Sequence, residues 1–295
     1  MFLRELPWAK IPEKSRVQFI DNWNGVEVWV LREDELHLEF GGNKWRKLKY
    51  PVLDALDKGA LGIVSIGGAY SNHLAAMASC CAQLNIPCRA YLRGQEVNNK
   101  TIESLKKLGV ELCFVPYESF KELKVSFNEK QGLQSDNWYY LPEGGSTYLG
   151  FLGCCEILGE HTNFSTHIVC PLGTGTTFAG LLNTILPHQI LWGFSALKQF
   201  AVQENFITSL SYSNHSKYQI ISKYAGKGFG KLDKSERDFA NWFQQQYGIK
   251  PDPIYNTKLL LGLYQMAVNH EIPAYSQVLW VNTGGLQGWN GFENG

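Results

Sequence analysis

The chain has 295 residues, 44% of them hydrophobic, enough for one large domain or two modest ones around a sizeable core. Its 27 basic and 27 acidic residues cancel to a formal net charge of +0, which argues against a nucleic-acid partner, since that role needs a basic face. No apolar stretch approaches the roughly 20 residues of a membrane span, and the start, Met1 to Trp8, lacks the apolar run and cleavage site of a secretory leader.

Strand-like and helix-like stretches then alternate, which predicts an α/β protein. Residues 26–31 read as a strand. Residues 43–56 have helical period, with Leu48, Val52, Leu53 and Leu56 on one face, and Pro51 is expected to interrupt them. A buried strand over 62–66 leads to an Ala-rich helix over 72–84. A strand over 87–92, a helix over 100–108 and a strand over 111–115 follow. Residues 121–130 mix charge signs and read as a solvated helix face. A short strand over 138–141 precedes a helix over 149–158. A strand over 167–170 feeds a glycine-rich loop and a helix over 178–186, and 190–194 is a further strand. Residues 209–223 are polar and read as an irregular connection. Amphipathic helices over 235–247 and 257–269 lead to a last strand over 277–281. No internal repeat or low-complexity segment is evident.

The seven cysteines, Cys80, Cys81, Cys88, Cys113, Cys154, Cys155 and Cys170, mostly sit in apolar surroundings without C-x-x-C spacing. They read as buried free thiols of a cytoplasmic protein, with no metal site. The sequons at Asn163 and Asn214 are then expected to be idle.

Three segments carry chemistry. Gly41-Gly42-Asn43-Lys44 puts a lysine behind glycines at a helix start. Gly67-Gly68-Ala69-Tyr70-Ser71-Asn72-His73 places hydroxyl and amide groups on a loop after an apolar strand. Gly173-Thr174-Gly175-Thr176-Thr177 opens a later helix. An aldehyde cofactor with a phosphate tail needs an amine for a Schiff base, polar groups for its ring and a cradle of backbone N–H groups. Blander readings compete. Lys44 could belong to a solvated basic cluster with Arg46, Lys47 and Lys49. Ser71 or Asn72 could be a helix cap, which is compatible with a functional role. His73 could be structural, and Tyr255 could be core packing beside Pro253. A dinucleotide fingerprint in the third loop fits poorly, because G-x-G-x-x-G needs glycine where Phe178 stands.

Taken together, Asn43 to Leu48, Gly67 to Asn72, Gly173 to Thr177, Asp252-Pro253-Ile254-Tyr255 and Thr283-Gly284-Gly285 resemble the pyridoxal-phosphate (PLP) family of 1-aminocyclopropane-1-carboxylate (ACC) deaminases and D-cysteine desulfhydrases. The resemblance runs from about residue 32 to the C-terminus, and Ser71 stands 27 positions after Lys44, as in that family. It implies the tryptophan synthase β-type fold: two doubly wound three-layer α/β/α domains with mostly parallel sheets. One would be a small domain over 47–146, inserted into a large PLP-binding domain made of 1–46 and 147–295. It also implies a cytoplasmic homodimer acting on a small amino acid.

Residue by residue, the resemblance makes Lys44 the cofactor lysine, Asn72 the partner of the ring's phenolic oxygen, and Gly173, Thr174, Gly175, Thr176 and Thr177 the phosphate loop. Ser71 would contact the substrate carboxylate, and Tyr255 would face the substrate, with Asn72 and His73 nearby. Lys47, about one helical turn on, would add a secondary charge. Three departures matter. Phe229 stands 26 positions before Tyr255, where the family has a second tyrosine. Asn256 follows Tyr255, where ACC deaminases carry an acid against the pyridine nitrogen and desulfhydrases a small hydroxyl residue. Thr283 precedes the final Gly-Gly, as in desulfhydrases, where ACC deaminases are apolar. An amide cannot hold the ring nitrogen protonated as a carboxylate does, so Asn256 weakens the electron sink and argues against opening a cyclopropane. The expected activity is D-cysteine desulfhydrase-like, releasing 2-oxo acid, ammonia and sulfide. ACC deamination is the alternative within the class. A PLP-binding protein with little catalysis, motivated by Phe229 and Asn256, and a nicotinamide oxidoreductase are alternatives outside it.

Overall fold

The structure, a computed structural model, describes residues 14–36, 42–197, 200–210 and 217–292. Gly41 and Asn214 therefore lie outside the described residues.

Two sheets organise the chain. The six-stranded sheet runs β1 (Val17–Trp23), β2 (Val26–Leu31), β11 (Gln277–Val281), β8 (His167–Leu172), β9 (Ile190–Ser195), β10 (Lys217–Ile221). Only its β1–β2 pairing is antiparallel. The five-stranded sheet runs β5 (Glu111–Val115), β4 (Cys88–Arg93), β3 (Gly62–Gly67), β7 (Trp138–Leu141), β6 (Gly132–Leu133), antiparallel only between β6 and β7. Every residue of β3 and of β8 is buried, as expected of parallel strands covered on both faces.

Each sheet has an apolar cluster on either face, so each is a three-layer α/β/α unit. Ile63 of β3 packs with Leu74 and Met77 of α2 (Asn72–Leu84), while Val64 and Ile66 point the other way onto Phe120 and Phe127 of α4 (Tyr117–Glu129). In the larger sheet, Val169 faces Leu259 and Leu263 of α9 (Asn256–Val268). Ile168 and Cys170 face Phe151 of α5 (Tyr148–Cys154) and Phe178 of α6 (Thr176–Leu182).

Pro51 does not interrupt its helix: α1 runs unbroken over Lys44–Asp57 with Pro51 inside. The ring removes one helical N–H, but packing outweighs that loss. Trp45, Leu48, Val52 and Ala55 are buried in the small-sheet core. On another side α5 lies against the α1 backbone at glycines. A Cβ at Gly150 would stand 3.2 Å from the Lys47 carbonyl oxygen, and one at Gly153 would collide with the Arg46 carbonyl. Arg46 is only 1% exposed and clamps Glu33, which is 0% exposed, through bonds of 3.0 and 2.9 Å. That pair ties the β1–β2 hairpin to the start of α1.

The stretch 209–223 is not wholly irregular, because it contains β10. Its residues Lys217 to Gln219 are exposed, so β10 lacks the apolar run that marks a strand. α3 (Lys100–Lys107), α7 (Ala201–Leu210) and α8 (Lys234–Tyr247) complete the α-helices of the described residues.

Candidate active site

The glycine-rich loops leave the carboxyl ends of β3, β8 and β11, where open α/β sheets bind ligands. They meet because glycine lets backbones touch. Gly42 has φ +59°, and a Cβ there would overlap the Thr283 carbonyl. The Asn43 N–H donates to that same carbonyl at 3.2 Å. Gly285 has φ +98°, and a Cβ on it would stand 2.5 Å from the Asn72 amide. The segments enclose a cavity of about 680 Å³ whose wall includes Lys44, Ser71, Asn72, Thr174, Tyr255 and Thr283.

Lys44 is the first residue of α1, and its Nζ donates to Asn43 Oδ1 at 2.8 Å. Asn43 is held in turn by donating to Thr177 Oγ1 at 2.6 Å. Burial, and then the charge of Lys47, push the Lys44 amine down to about 7, from an ordinary value of 10.5. Lys44 is thus an amine that can lose its proton near neutral pH, held on Asn43 rather than left in a solvated cluster. Burial also lowers Lys47, whose Nζ reaches Thr174 Oγ1 at 3.3 Å and the Gly144 carbonyl at 3.4 Å.

Ser71 caps α2: its Oγ accepts from the Leu74 N–H at 3.3 Å. Its own proton stays free to donate. Asn72 and His73 follow, and each keeps a buried acceptor without a partner, Asn72 Oδ1 and His73 Nδ1. Burial first, then Lys44 and Lys47, push His73 down to about 3, so it is neutral. Ser65 Oγ donates to the Leu141 carbonyl at 2.8 Å and lies 2.9 Å from His73 Nε2. The network therefore assigns the ring proton to Nε2 and leaves Nδ1 bare.

In the third loop Gly175 adopts φ +95° at the entrance to α6. Thr174 and Thr177 reach the cavity wall. Thr176 does not: its hydroxyl lies behind the loop, donating to Ser146 Oγ at 3.1 Å. Tyr255 lines the cavity against Gly173, where a Cβ would stand 3.3 Å from the ring. Burial, then Asp252, raise its phenol above the ordinary range, so it stays protonated. Phe229 sits at the mouth, 46% exposed, 5.8 Å edge-on from Tyr255.

Asn256 is buried beneath the wall and does not line the cavity. Its Nδ2 donates to Asp252 Oδ2 at 2.5 Å and to Thr283 Oγ1 at 3.3 Å, and its Oδ1 accepts from Trp280 Nε1 at 2.9 Å. It reaches the cavity only through Thr283. Sequence reasoning missed Lys258, whose buried Nζ donates to the carbonyls of Ala225 (2.9 Å) and Gly228 (2.7 Å) and so fixes the loop that bears Phe229. Helical spacing from Tyr255 was its only signal. Among the described residues, no group of three or more His, Cys, Asp or Glu is arranged to hold a metal ion.

These residues fit a phosphorylated aldehyde. They offer a near-neutral, half-buried amine, an asparagine amide with an unpartnered end, and a glycine-threonine turn at the head of a helix. A family profile described as "Pyridoxal-phosphate dependent enzyme" matches residues 15–284. The chain belongs to that family, and its cofactor is pyridoxal 5'-phosphate.

Within the family it is 28% identical to a putative ACC deaminase of Pyrococcus horikoshii, over 94% of this chain and 91% of that protein. It is 27% identical to a D-cysteine desulfhydrase of Serratia proteamaculans, over 92% of this chain and 90% of that one. A solved structure described as an ACC deaminase homologue superposes with a TM-score of 0.81 at 26% identity, covering 97% of this chain and 93% of that one. An L-serine ammonia-lyase from Rhizomucor miehei shares the fold, with a TM-score of 0.68 at 14% identity, over 92% of this chain and 93% of that one. No helix among the described residues is long and apolar enough to cross a membrane.

Proposed function

We propose that the chain is a lyase that converts D-cysteine or a related small amino acid, with water, to 2-oxo acid, ammonia and sulfide. The observation that carries this reading is Lys44, an amine lowered to about 7 in the wall of a cavity shared with Asn72 and Ser71. The cofactor, when bound, supplies the electron sink that acidifies the α-proton of an amino acid.

Lys44 Nζ is both the amine that holds the cofactor and the base that takes the α-proton. Thr174, Thr177 and the Gly173–Gly175 backbone would hold the phosphate, and the Asn72 amide would donate through Nδ2 to the ring's phenolic oxygen. Ser71, with its proton unused, donates to the substrate carboxylate. Tyr255, kept protonated by burial, is positioned to give a proton to the departing sulfur. His73 Nδ1 can accept a bond but, being neutral, adds no charge.

The substrate preference rests on the wall beneath the ring. The Asn256 amide is occupied by Asp252, Thr283 and Trp280, so the cavity meets only a hydroxyl, Thr283, there. A neutral group supports departure of a β-substituent better than ring opening of ACC. The small domain is proposed as 47–146, inserted between 1–46 and 147–295. Seven free cysteines support a reducing, cytoplasmic setting, and the family supports a homodimer.

The test compares wild type with Lys44→Ala. Wild type should show a visible band of bound cofactor that changes on adding D-cysteine, and should release sulfide and 2-oxo acid. Lys44→Ala should lose at least about 10³-fold in rate. Faster turnover of ACC than of D-cysteine would replace this activity with ACC deamination. Cofactor binding with turnover of neither would leave the role of a binding protein with little catalysis.

A further inference from the structure

The roles proposed above use Lys44, Ser71, Asn72, Thr174, Thr177 and Tyr255 of the cavity wall; Arg93, in the same wall, has none. β4 ends at Arg93, one residue beyond the Gly67–Leu92 pair, so Arg93 emerges beside the loop that carries Ser71 and Asn72. A Cβ on Gly68 of that loop would stand 3.8 Å from Arg93 Nη2. The rings of Tyr117 and Phe120 lie 5.7 and 5.9 Å from the guanidinium carbon, and the Arg93 side chain is exposed. Arg93 lines the cavity and makes no ion pair among the described residues. The neighbouring cations differ. Lys124, also on the cavity wall, is bound to Glu143 at 2.7 Å, and Arg89 of the same strand is bound to Glu111 at 2.8 Å. A guanidinium presents a planar fork of donors that matches a carboxylate.

We propose that Arg93 is a subsite for an anionic group at the far end of the substrate, so that the preferred substrates are amino acids whose sulfur-linked β-substituent ends in a carboxylate. This deepens the elimination reading above and rests on it. With S-carboxymethylcysteine the Cβ–S bond breaks and its electron pair leaves with sulfur. The α-proton goes to Lys44 Nζ, and sulfur takes up a proton. One water converts the remaining three carbons to pyruvate and ammonia, and mercaptoacetate is the other product. No oxidant or reductant is involved.

The experiment uses the holoenzyme and both enantiomers of S-carboxymethylcysteine, beside the neutral S-carbamoylmethyl counterpart and D-cysteine. The expected ratio of kcat/KM, acid over amide, is about threefold to fivefold, because Arg93 is exposed and an exposed charged pair gains less than a buried one. It should fall close to one in Arg93→Gln and be partly kept in Arg93→Lys, which retains the charge without the fork. A wild-type ratio near one, or a ratio unmoved by Arg93→Gln, overturns the subsite. If D-cysteine is consumed while the ratio is near one, the subsite falls and the elimination reading stands. If nothing is consumed, the elimination reading falls. The subsite is then judged by Kd from titrating the visible band: acid about threefold to fivefold tighter than amide, and that preference lost in Arg93→Gln, supports it; equal Kd values overturn it. A misfolded Arg93→Gln would lose the band itself, and Arg93→Lys then carries the comparison.

Discussion

The side of the cavity built from β8, β11 and α9 differs from the side built from β3 and α2 in how its polar atoms are satisfied. On the first, Asn43 is held by Thr177 and by the Thr283 carbonyl, and Asn256 bonds Asp252, Thr283 and Trp280. On the second, the consecutive residues Asn72 and His73 each keep a buried acceptor with no partner. Folding completes the first network by itself. The second leaves polar atoms bare, a cost that a bound guest relieves. The first wall is framework and the second is receptor.

That contrast can be broken by truncating one amide on each side. The largest effect is expected for Asn256→Ala, which strands Trp280 Nε1 and removes a donor from Asp252. The apoprotein should lose about 3 kcal/mol in urea unfolding. Asn72→Ala removes a group that already lacks a partner at one end. The unfolding free energy of the apoprotein should move by less than about 1 kcal/mol, while the cofactor Kd should rise about tenfold, or about 1.4 kcal/mol. Equal losses of apoprotein stability in the two variants would erase the distinction.

A pH dependence sharpens the role of the lysine between the walls. The Lys44 amine is lowered to about 7 in the folded protein, from an ordinary value of 10.5. Within that window the unfolded chain holds a proton that the folded chain has lost. Apoprotein stability should therefore rise with pH from about 7 towards 10.5, by less than about 1.4 kcal/mol per pH unit, the limit for one proton. Lys44→Met should flatten that rise in urea midpoints measured across the window. Cofactor uptake by wild type should quicken through pH about 7, as the neutral amine appears.

The central strands were readable because burial on both faces makes them short continuous apolar runs, as in Gly62–Gly67 and His167–Leu172. The edges were not. β1 and β10 carry exposed polar residues, and their pairing depends on neighbours the local sequence does not name. Pro51 misled because local propensity lost to the contact of α5 with the α1 backbone. At the site, the glycine-rich segments singled out Lys44, Ser71 and Asn72 as candidates, and the family resemblance gave them their expected roles. Lys258 and Arg93 were not, since a lysine buried on carbonyl oxygens and an arginine left without an acid both look like ordinary surface charge until distant elements are assembled around them.

The topology of the larger sheet has a consequence for how the protein is made. β11 lies between β2 and β8, yet it follows every other strand in the chain. During synthesis β2 and β8 both emerge long before the strand that must separate them, and the pairing that fills the gap is non-local and therefore slow. The same late strand delivers Thr283, against which Gly42 and Asn43 close the lysine loop. An aldehyde that needs the closed loop to bind can therefore be captured only by a chain whose sheet is complete. Cofactor uptake then acts as a checkpoint on assembly, and mass action holds the finished form in place.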